Sequence, residues 1–160
     1  MMTQEPIAGR FWLLWALAFL GFPLGGLLAN LIVGPVTTPL RAALAGAITG
    51  AVLGLVQWLV LRSKLPPGPG WVVATSLGMA LGLALSAVLL GNGTRGHELL
   101  WRAALTGLSV GLAQTIVLLP VLPPTARWLS AFWVGVVSVG WVCGWFITRG
   151  CKSSRRLLRR

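Results

Sequence analysis

Residues 49–78 read TGAVLGLVQWLVLRSKLPPGPGWVVATSLG, an apolar run, a short basic and proline-rich loop, and a second apolar run. The hydrocarbon core of a bilayer is about 30 Å thick, so about 20 mostly apolar residues of helix cross it. Extended to their charged, proline or glycine boundaries, both runs reach that length. This stretch therefore predicts two membrane-spanning helices joined by a short loop.

The composition of the whole chain agrees with that prediction. Hydrophobic types make up 56% of the 160 residues and charged types 9%, whereas a typical soluble domain is about 25% charged. The acidic residues are Glu5 and Glu98, and 13 Lys and Arg give a net charge of +11. These values argue against a soluble enzyme, a secreted disulfide scaffold and a disordered chain.

Five apolar stretches are long enough to cross a membrane. They are Phe11–Val33, Leu40–Leu61, Trp71–Leu90, Leu99–Leu119 and Trp128–Thr148. We expect helices, because backbone polar groups in lipid must be satisfied within the segment or in a closed barrel, and the runs lack the alternation of a barrel. The predicted fold is all-α and integral to the membrane: one five-helix domain over residues 1–149, followed by a basic tail over 150–160.

The opening stretch matches residues 106–135 at a shift of 57 residues, with 13 identities in 30 positions and no gap. Both copies carry the same LPP loop, and the equivalent regions extend over about 41–91 and 98–148. Each copy is helix, loop, helix, so both have the same orientation in the membrane. The sequence therefore predicts one N-terminal helix followed by a parallel tandem repeat of two helix pairs.

Small residues recur at four-residue spacing along every predicted helix. Helices in a bilayer associate through close backbone packing and interhelical hydrogen bonds, which small residues permit. The glycines expected at these interfaces are Gly46, Gly50, Gly54, Gly78, Gly82, Gly107, Gly111 and Gly135. Their spacing, that of a glycine zipper, predicts a tightly packed bundle.

Three amide side chains are candidates for polar positions inside the bundle. Gln57 and Gln114 each follow a stripe glycine by three residues, Gly54 and Gly111, and therefore share its helix face. Asn30, near the end of the first span, is the third candidate. An amide in hydrocarbon needs a partner, so the glutamines either form interhelical hydrogen bonds or line a cavity for a ligand or solute. Both interpretations are open at this point.

No residue pattern in the chain is typical of an active site or a metal centre. Glu98 suits the first turn of its helix and can pair with Arg102, and His97 lies beside it. One histidine and one carboxylate are fewer than the three ligands that a metal site usually needs. Cys143 and Cys151 have a CX7C spacing that matches no redox or zinc motif. We therefore predict no catalytic residue, no metal, no cofactor and no enzymatic activity.

The basic residues predict the orientation of the chain. Five spans place the termini on opposite sides, and nine of the 13 Lys and Arg fall on the side of the C-terminus. The positive-inside rule then predicts an outer N-terminus and a cytoplasmic C-terminus in an inner or plasma membrane. Tail cations expected to bind anionic lipid headgroups are Lys152, Arg155, Arg156, Arg159 and Arg160. No nucleic acid is expected as a partner.

Most tryptophans lie near span ends, where indole rings favour the membrane interface. The outer belt is expected to contain Trp12, Trp15, Trp58, Trp71 and Trp128, and the inner belt Trp101 and Trp145. Trp133 and Trp141 lie deeper in the fifth span.

The segments GLVQWLVLR at residues 54–62 and WVVATSLGMALG at residues 71–82 resemble the repeating unit of a family of small multi-pass bacterial membrane proteins. That family carries G-L-x-Q-W-L-V-L-R and W-V-x-A-T-x-L-G segments in tandem. The resemblance covers the second to fifth helices, about two thirds of the chain. The second copy departs from the pattern at Thr115, Leu119 and Trp133, which replace Trp58, Arg62 and Ser76. The family is uncharacterised, so the resemblance implies a repeated membrane fold and no function.

Three functional hypotheses follow from the sequence. The favoured one is a structural or accessory subunit of a membrane complex, which packs through its glycines against other subunits or against copies of itself. One alternative is a small transporter or channel whose path is lined by Gln57, Gln114 and Asn30. Another is a protein that binds lipid, quinone or pigment through Trp133 and Trp141.

Overall fold

The computed structural model describes residues 5–62, 68–91, 93, 95–129 and 131–140. All regular secondary structure in these ranges is helical. The basic tail and the residues Trp141, Cys143, Trp145 and Cys151 lie outside the described residues, so the expectations that concern them stay predictions.

The described chain forms five helices and a short 3-10 turn. They are α1 (Glu5–Ala18), α2 (Gly21–Val33), α3 (Pro39–Leu61), α4 (Gly70–Leu90), α5 (Gly96–Leu118) and the turn Pro124–Ala126. Residues 128–129 and 131–140 are also helical, and we call them the C-terminal segment.

Four segments of the described chain are long and apolar enough to cross a membrane. They are Leu13–Val33, Pro39–Leu61, Gly70–Leu90 and Gly96–Leu118. These segments overlap the first four predicted spans, and their limits differ from the predicted ones by at most three residues. The fifth predicted span, Trp128–Thr148, is described only as far as residue 140, and its crossing of a membrane stays a prediction.

The first predicted span consists of two helices, α1 and α2, separated by a turn at residues 19–20. Pro23 has no backbone N–H, so it cannot donate to the carbonyl of Phe19 as a continuous helix would require. The N–H of Phe22 donates to that carbonyl instead, at 3.0 Å. Proline thus divides a span that hydropathy alone treats as one helix.

The helices pack in a sequential order. α2 packs against α3, α3 against α4 and α4 against α5, while α1 lies against α3. An added Cβ at Gly50 of α3 would lie 2.7 Å from the Cα of Ser76, and one at Gly78 of α4 would lie 2.7 Å from the Cα of Val110. Real Cβ atoms do not approach this closely. The helix backbones are therefore in direct contact at these glycines, as small residues in membrane helices permit.

Seven of the eight glycines expected at interfaces are buried, namely Gly46, Gly50, Gly54, Gly78, Gly82, Gly107 and Gly111. Gly135 differs: it is exposed, and an added Cβ there would meet nothing within 4 Å. Its neighbour Val134 is the residue that meets Gly111, because a Cβ on that glycine would lie 2.9 Å from the Cα of Val134. One residue is about 100° of helix rotation, so Gly135 is turned away from α5.

Polar side chains at the end of the bundle where α3 and α5 begin bind nearby backbone. The carboxylate of Glu98 accepts the N–H of Arg95 at 2.9 Å in the first turn of α5. The guanidinium of Arg102 donates to the carbonyls of Gly91 at 2.8 Å and Gly93 at 3.4 Å. Arg102 thus braces the loop before α5, where the sequence had suggested an ion pair with Glu98.

Candidate functional site

The polar centre of the bundle lies near the opposite end, where α3 and α5 finish and α4 begins. Gln57 and Gln114 each lie four residues before the end of their helix, at Leu61 and Leu118, which is about 6 Å along the axis. Their side chains are 5% and 1% exposed. The two glutamines, which occupy equivalent positions in the repeated sequence, thus lie together in one buried location between the helices.

Gln114 joins α5 to three other elements. Its Nε2 donates to Oγ1 of Thr75 in α4 at 2.9 Å and to Oε1 of Gln57 in α3 at 3.4 Å. Its Oε1 accepts the indole N–H of Trp133, in the C-terminal segment, at 2.9 Å. One amide side chain therefore cross-links most of the bundle.

The remaining hydrogen bonds close this network around Trp71 at the start of α4. The indole N–H of Trp71 donates to Oε1 of Gln57 at 3.3 Å, and the hydroxyl of Thr75 donates to the backbone carbonyl of Trp71 at 2.8 Å. Trp71 and Thr75 are 1% and 0% exposed. We call the five residues Gln57, Trp71, Thr75, Gln114 and Trp133 the glutamine–tryptophan cluster.

Aromatic rings surround the cluster on the side of α1. The ring of Trp133 lies between those of Trp15 and Trp71, with centroids 5.9 and 6.1 Å away. Trp15 also contacts Phe11 and Phe19, at 6.4 and 6.3 Å. These separations are typical of favourable aromatic pairs. Trp133 thus connects the C-terminal segment to α1 as well as to α5.

An apolar groove of about 230 Å³, which we call the end groove, opens beside the cluster. Its walls are the side chains of Leu61, Trp71, Leu118, Leu122, Leu129, Phe132 and Trp133. A second apolar groove, of about 380 Å³, runs between α4 and α5 and is lined by Gly70, Val73, Ala74, Leu77, Ala113, Ile116 and Val117.

The structure brings two of the three candidate amides together and leaves the third apart. Asn30 is exposed on α2. α2 packs on α3 through Gly25 and Ala29, which are buried, and the next residue is rotated about 100° away from that face. Asn30 therefore has no place in the bundle interior.

Two members of the cluster were not expected from the sequence. The sequence predicts Trp71 in the outer aromatic belt, but its side chain is buried and its indole N–H donates to Gln57. Thr75 lies one turn further along α4 and so faces the same way. The four-residue spacing of Trp71 and Thr75 already indicates that they share one face of α4. Their pairing with Gln57 on α3 and Gln114 on α5 depends on how the three helices are rotated about their axes.

The cluster offers amide, indole and hydroxyl groups, which bind one another. Within the described ranges, no group of three or more His, Cys, Asp and Glu lies together. His97 and Glu98 lie at the opposite end of the bundle, at the start of α5. This arrangement can hold helices together.

Comparisons of the chain with protein-family models, with curated proteins and with solved structures find no match.

Proposed function

We propose that this chain is a non-enzymatic, multi-pass membrane protein that serves as a structural or accessory subunit of a membrane complex. The four apolar segments of the described chain are compatible with a membrane protein. The single observation that carries the proposed role is the glutamine–tryptophan cluster, because its buried polar groups use their hydrogen bonds on each other.

This self-contained network supports a packing role over a transport role. A solute path needs polar groups that face a water-filled space, as in membrane channels and transporters. Gln57 and Gln114 are instead nearly inaccessible, at 5% and 1% exposure, and their amides bind protein groups. Interhelical hydrogen bonds of this kind stabilise membrane bundles by about 0.6 kcal/mol each, up to about 2.

The outer surface supports the proposed association with a partner. Added Cβ atoms at Gly26, Gly135 and Gly140 would meet nothing within 4 Å, so these glycines are not used for packing within the described chain. Glycines on a membrane helix allow a second helix to approach closely. The partner would be another subunit or a second copy of the chain.

The proposed location follows from the charge pattern. The N-terminus would lie outside and the C-terminus in the cytoplasm of an inner or plasma membrane, since nine of the 13 basic residues fall on the C-terminal side. The tail would then lie against anionic headgroups of the inner leaflet.

Extraction in a mild detergent, followed by mass spectrometry, tests the subunit role. We expect the chain to copurify in fixed ratio with another membrane protein or with itself. Gly135→Leu should disrupt that association, because it fills an open surface, while Val136→Leu on the same segment is the matched control. A lone monomer, or equal association of both variants, would contradict the proposal.

A flux assay separates the packing role from transport. The double variant Gln57→Leu, Gln114→Leu replaces both buried amides by apolar groups of similar size, so a packing subunit should lose stability but still assemble through its glycine contacts. If the folded double variant lost a solute flux that the parent shows in vesicles, a transporter or channel would be the better assignment.

A further inference from the structure

The end groove presents hydrocarbon on all of its walls. Its described lining consists of leucine, phenylalanine and tryptophan side chains. The two lining tryptophans, Trp71 and Trp133, direct their N–H groups to Gln57 and Gln114 in the cluster. The groove is therefore left without an indole donor, and an occupant inside it gains apolar contact only.

The apolar lining of the end groove favours a hydrocarbon chain over a polar ring system. Its volume is about 230 Å³, which is below the range of about 300–1,000 Å³ of typical small-molecule pockets. A quinone or pigment also needs polar groups for its oxygens or nitrogens, and the walls supply none. A saturated hydrocarbon chain needs no such group, and the groove has room for part of one chain.

Two exposed arginines lie close in the chain to residues that line the groove. Leu61 lines the groove, and the next residue, Arg62, is exposed, with its guanidinium 5.6 Å from the ring centre of Trp58. Arg127 is exposed two residues before Leu129, which also lines the groove. The predicted topology puts Arg10, Arg62, Lys64 and Arg127 on the N-terminal side of the membrane, together with one carboxylate, Glu5.

Hydrocarbon walls, with exposed arginines next to Leu61 and near Leu129 in the chain, match the two parts of an anionic phospholipid. We propose that the end groove binds one acyl chain of such a lipid and that Arg62 pairs with its phosphate. This inference rests on the membrane location proposed above, and it is independent of the subunit role. Because the end groove lies at the helix ends, the bound phosphate would lie at headgroup depth and the acyl chain alongside Leu118 and Phe132.

Native mass spectrometry of the full chain tests the site. The protein is reconstituted in vesicles of equal parts phosphatidylglycerol and phosphatidylcholine with identical acyl chains, then extracted gently. We expect one phosphatidylglycerol retained per chain, enriched at least about fivefold over phosphatidylcholine, which is an energy of about 1 kcal/mol.

Three variants locate the bound lipid. Leu129→Trp fills the rim of the end groove and should abolish retention, whereas Leu77→Trp in the groove between α4 and α5 should leave it unchanged. Arg62→Gln should keep one lipid bound but remove the preference for phosphatidylglycerol. Helical circular dichroism of each variant shows that the fold is intact.

Each outcome has a defined meaning. Failure of the parent chain to float with vesicles would overturn the membrane location itself. Flotation without a retained lipid, or equal retention by the Leu129 and Leu77 variants, would overturn the groove while leaving the membrane location intact. Retention that is lost only in Leu129→Trp, with selectivity lost in Arg62→Gln, supports it.

Discussion

The pair α3–α4 and the pair formed by α5 and the C-terminal segment carry equivalent sequences but bury them differently. Trp71 is 1% exposed and binds Gln57, whereas Trp128, its equivalent 57 residues later, is 66% exposed. Gln114 receives its indole N–H from Trp133 instead. The second pair therefore builds a similar polar contact from a different position.

The glycines show the same difference. A Cβ at Gly78 would lie 2.7 Å from the backbone of Val110, while one at the equivalent Gly135 would meet nothing within 4 Å. α4 lies between α3 and α5, so it has helices on two sides. The C-terminal segment meets the backbone of α5 at Gly111 and otherwise contacts α1 and α4 through the rings of Trp15 and Trp71. A repeated sequence thus specifies similar helices, and the neighbours of each helix decide which residues are buried.

The largest expected difference between the copies is at these glycines. Gly78→Ala should destabilise the bundle by about 1–3 kcal/mol, because the new methyl group forces two backbones apart. Gly135→Ala should change stability by less than about 0.5 kcal/mol, as exposed substitutions usually do. Unfolding by denaturant in detergent micelles measures both, and equal losses would show that the two positions are packed alike.

Replacing the equivalent tryptophans should have the next largest effect. Trp71→Phe removes the N–H that binds Gln57 and leaves a void, at a cost of about 1–3 kcal/mol. Trp128→Phe should leave stability within about 0.5 kcal/mol. The same unfolding assay compares them. A large loss for Trp128→Phe would mean that its ring is buried in the protein.

A smaller difference is expected between the coupling energies of the two indole–amide hydrogen bonds. The bond from Trp133 to Gln114 is 2.9 Å and that from Trp71 to Gln57 is 3.3 Å. Double-mutant cycles with tryptophan→Phe and glutamine→Leu should give a coupling of about 0.6–2 kcal/mol for the first pair and a lower value for the second. The reverse order would indicate that Gln57 is the tighter acceptor.

The smallest effect is expected at Asn30. It lies on the exposed face of α2, so Asn30→Leu should change the free energy of unfolding by less than about 0.5 kcal/mol. Gln57→Leu in the same assay is the comparison for a buried amide. If Asn30→Leu lowered the free energy of unfolding as much as Gln57→Leu does, the Asn30 side chain would have to be in contact with a partner.

The sequence predicted the helices well because their limits are set locally. The second and third spans, predicted as Leu40–Leu61 and Trp71–Leu90, begin one residue from α3 and α4 and end with them. Proline, glycine and charge next to an apolar run stop a membrane helix wherever the run lies in the fold. The division of the first span at residues 19–20 depended on Pro23, which hydropathy does not weigh.

The candidate site was predictable only in part. The three-residue spacing from Gly54 to Gln57 placed the amide on the packing face, since helix periodicity is a local property. Trp71 as its donor was not predictable, because an indole near a helix end suits the lipid interface equally well. Only the position of α3 beside Trp71 shows that this indole donates to Gln57 and does not lie at the lipid interface.

The amino-acid sequence alone determined where four apolar segments of membrane-crossing length lie and that Gln57 and Gln114 face their glycine stripes. Apolar composition and helix periodicity act within one segment, so they need no knowledge of the others. The tertiary structure decided that Trp133 rather than Trp128 binds Gln114, that Gly135 stays open and that Asn30 lies outside the core. Those outcomes depend on helix rotation and on which helices are adjacent, and both are settled by packing among distant parts of the chain.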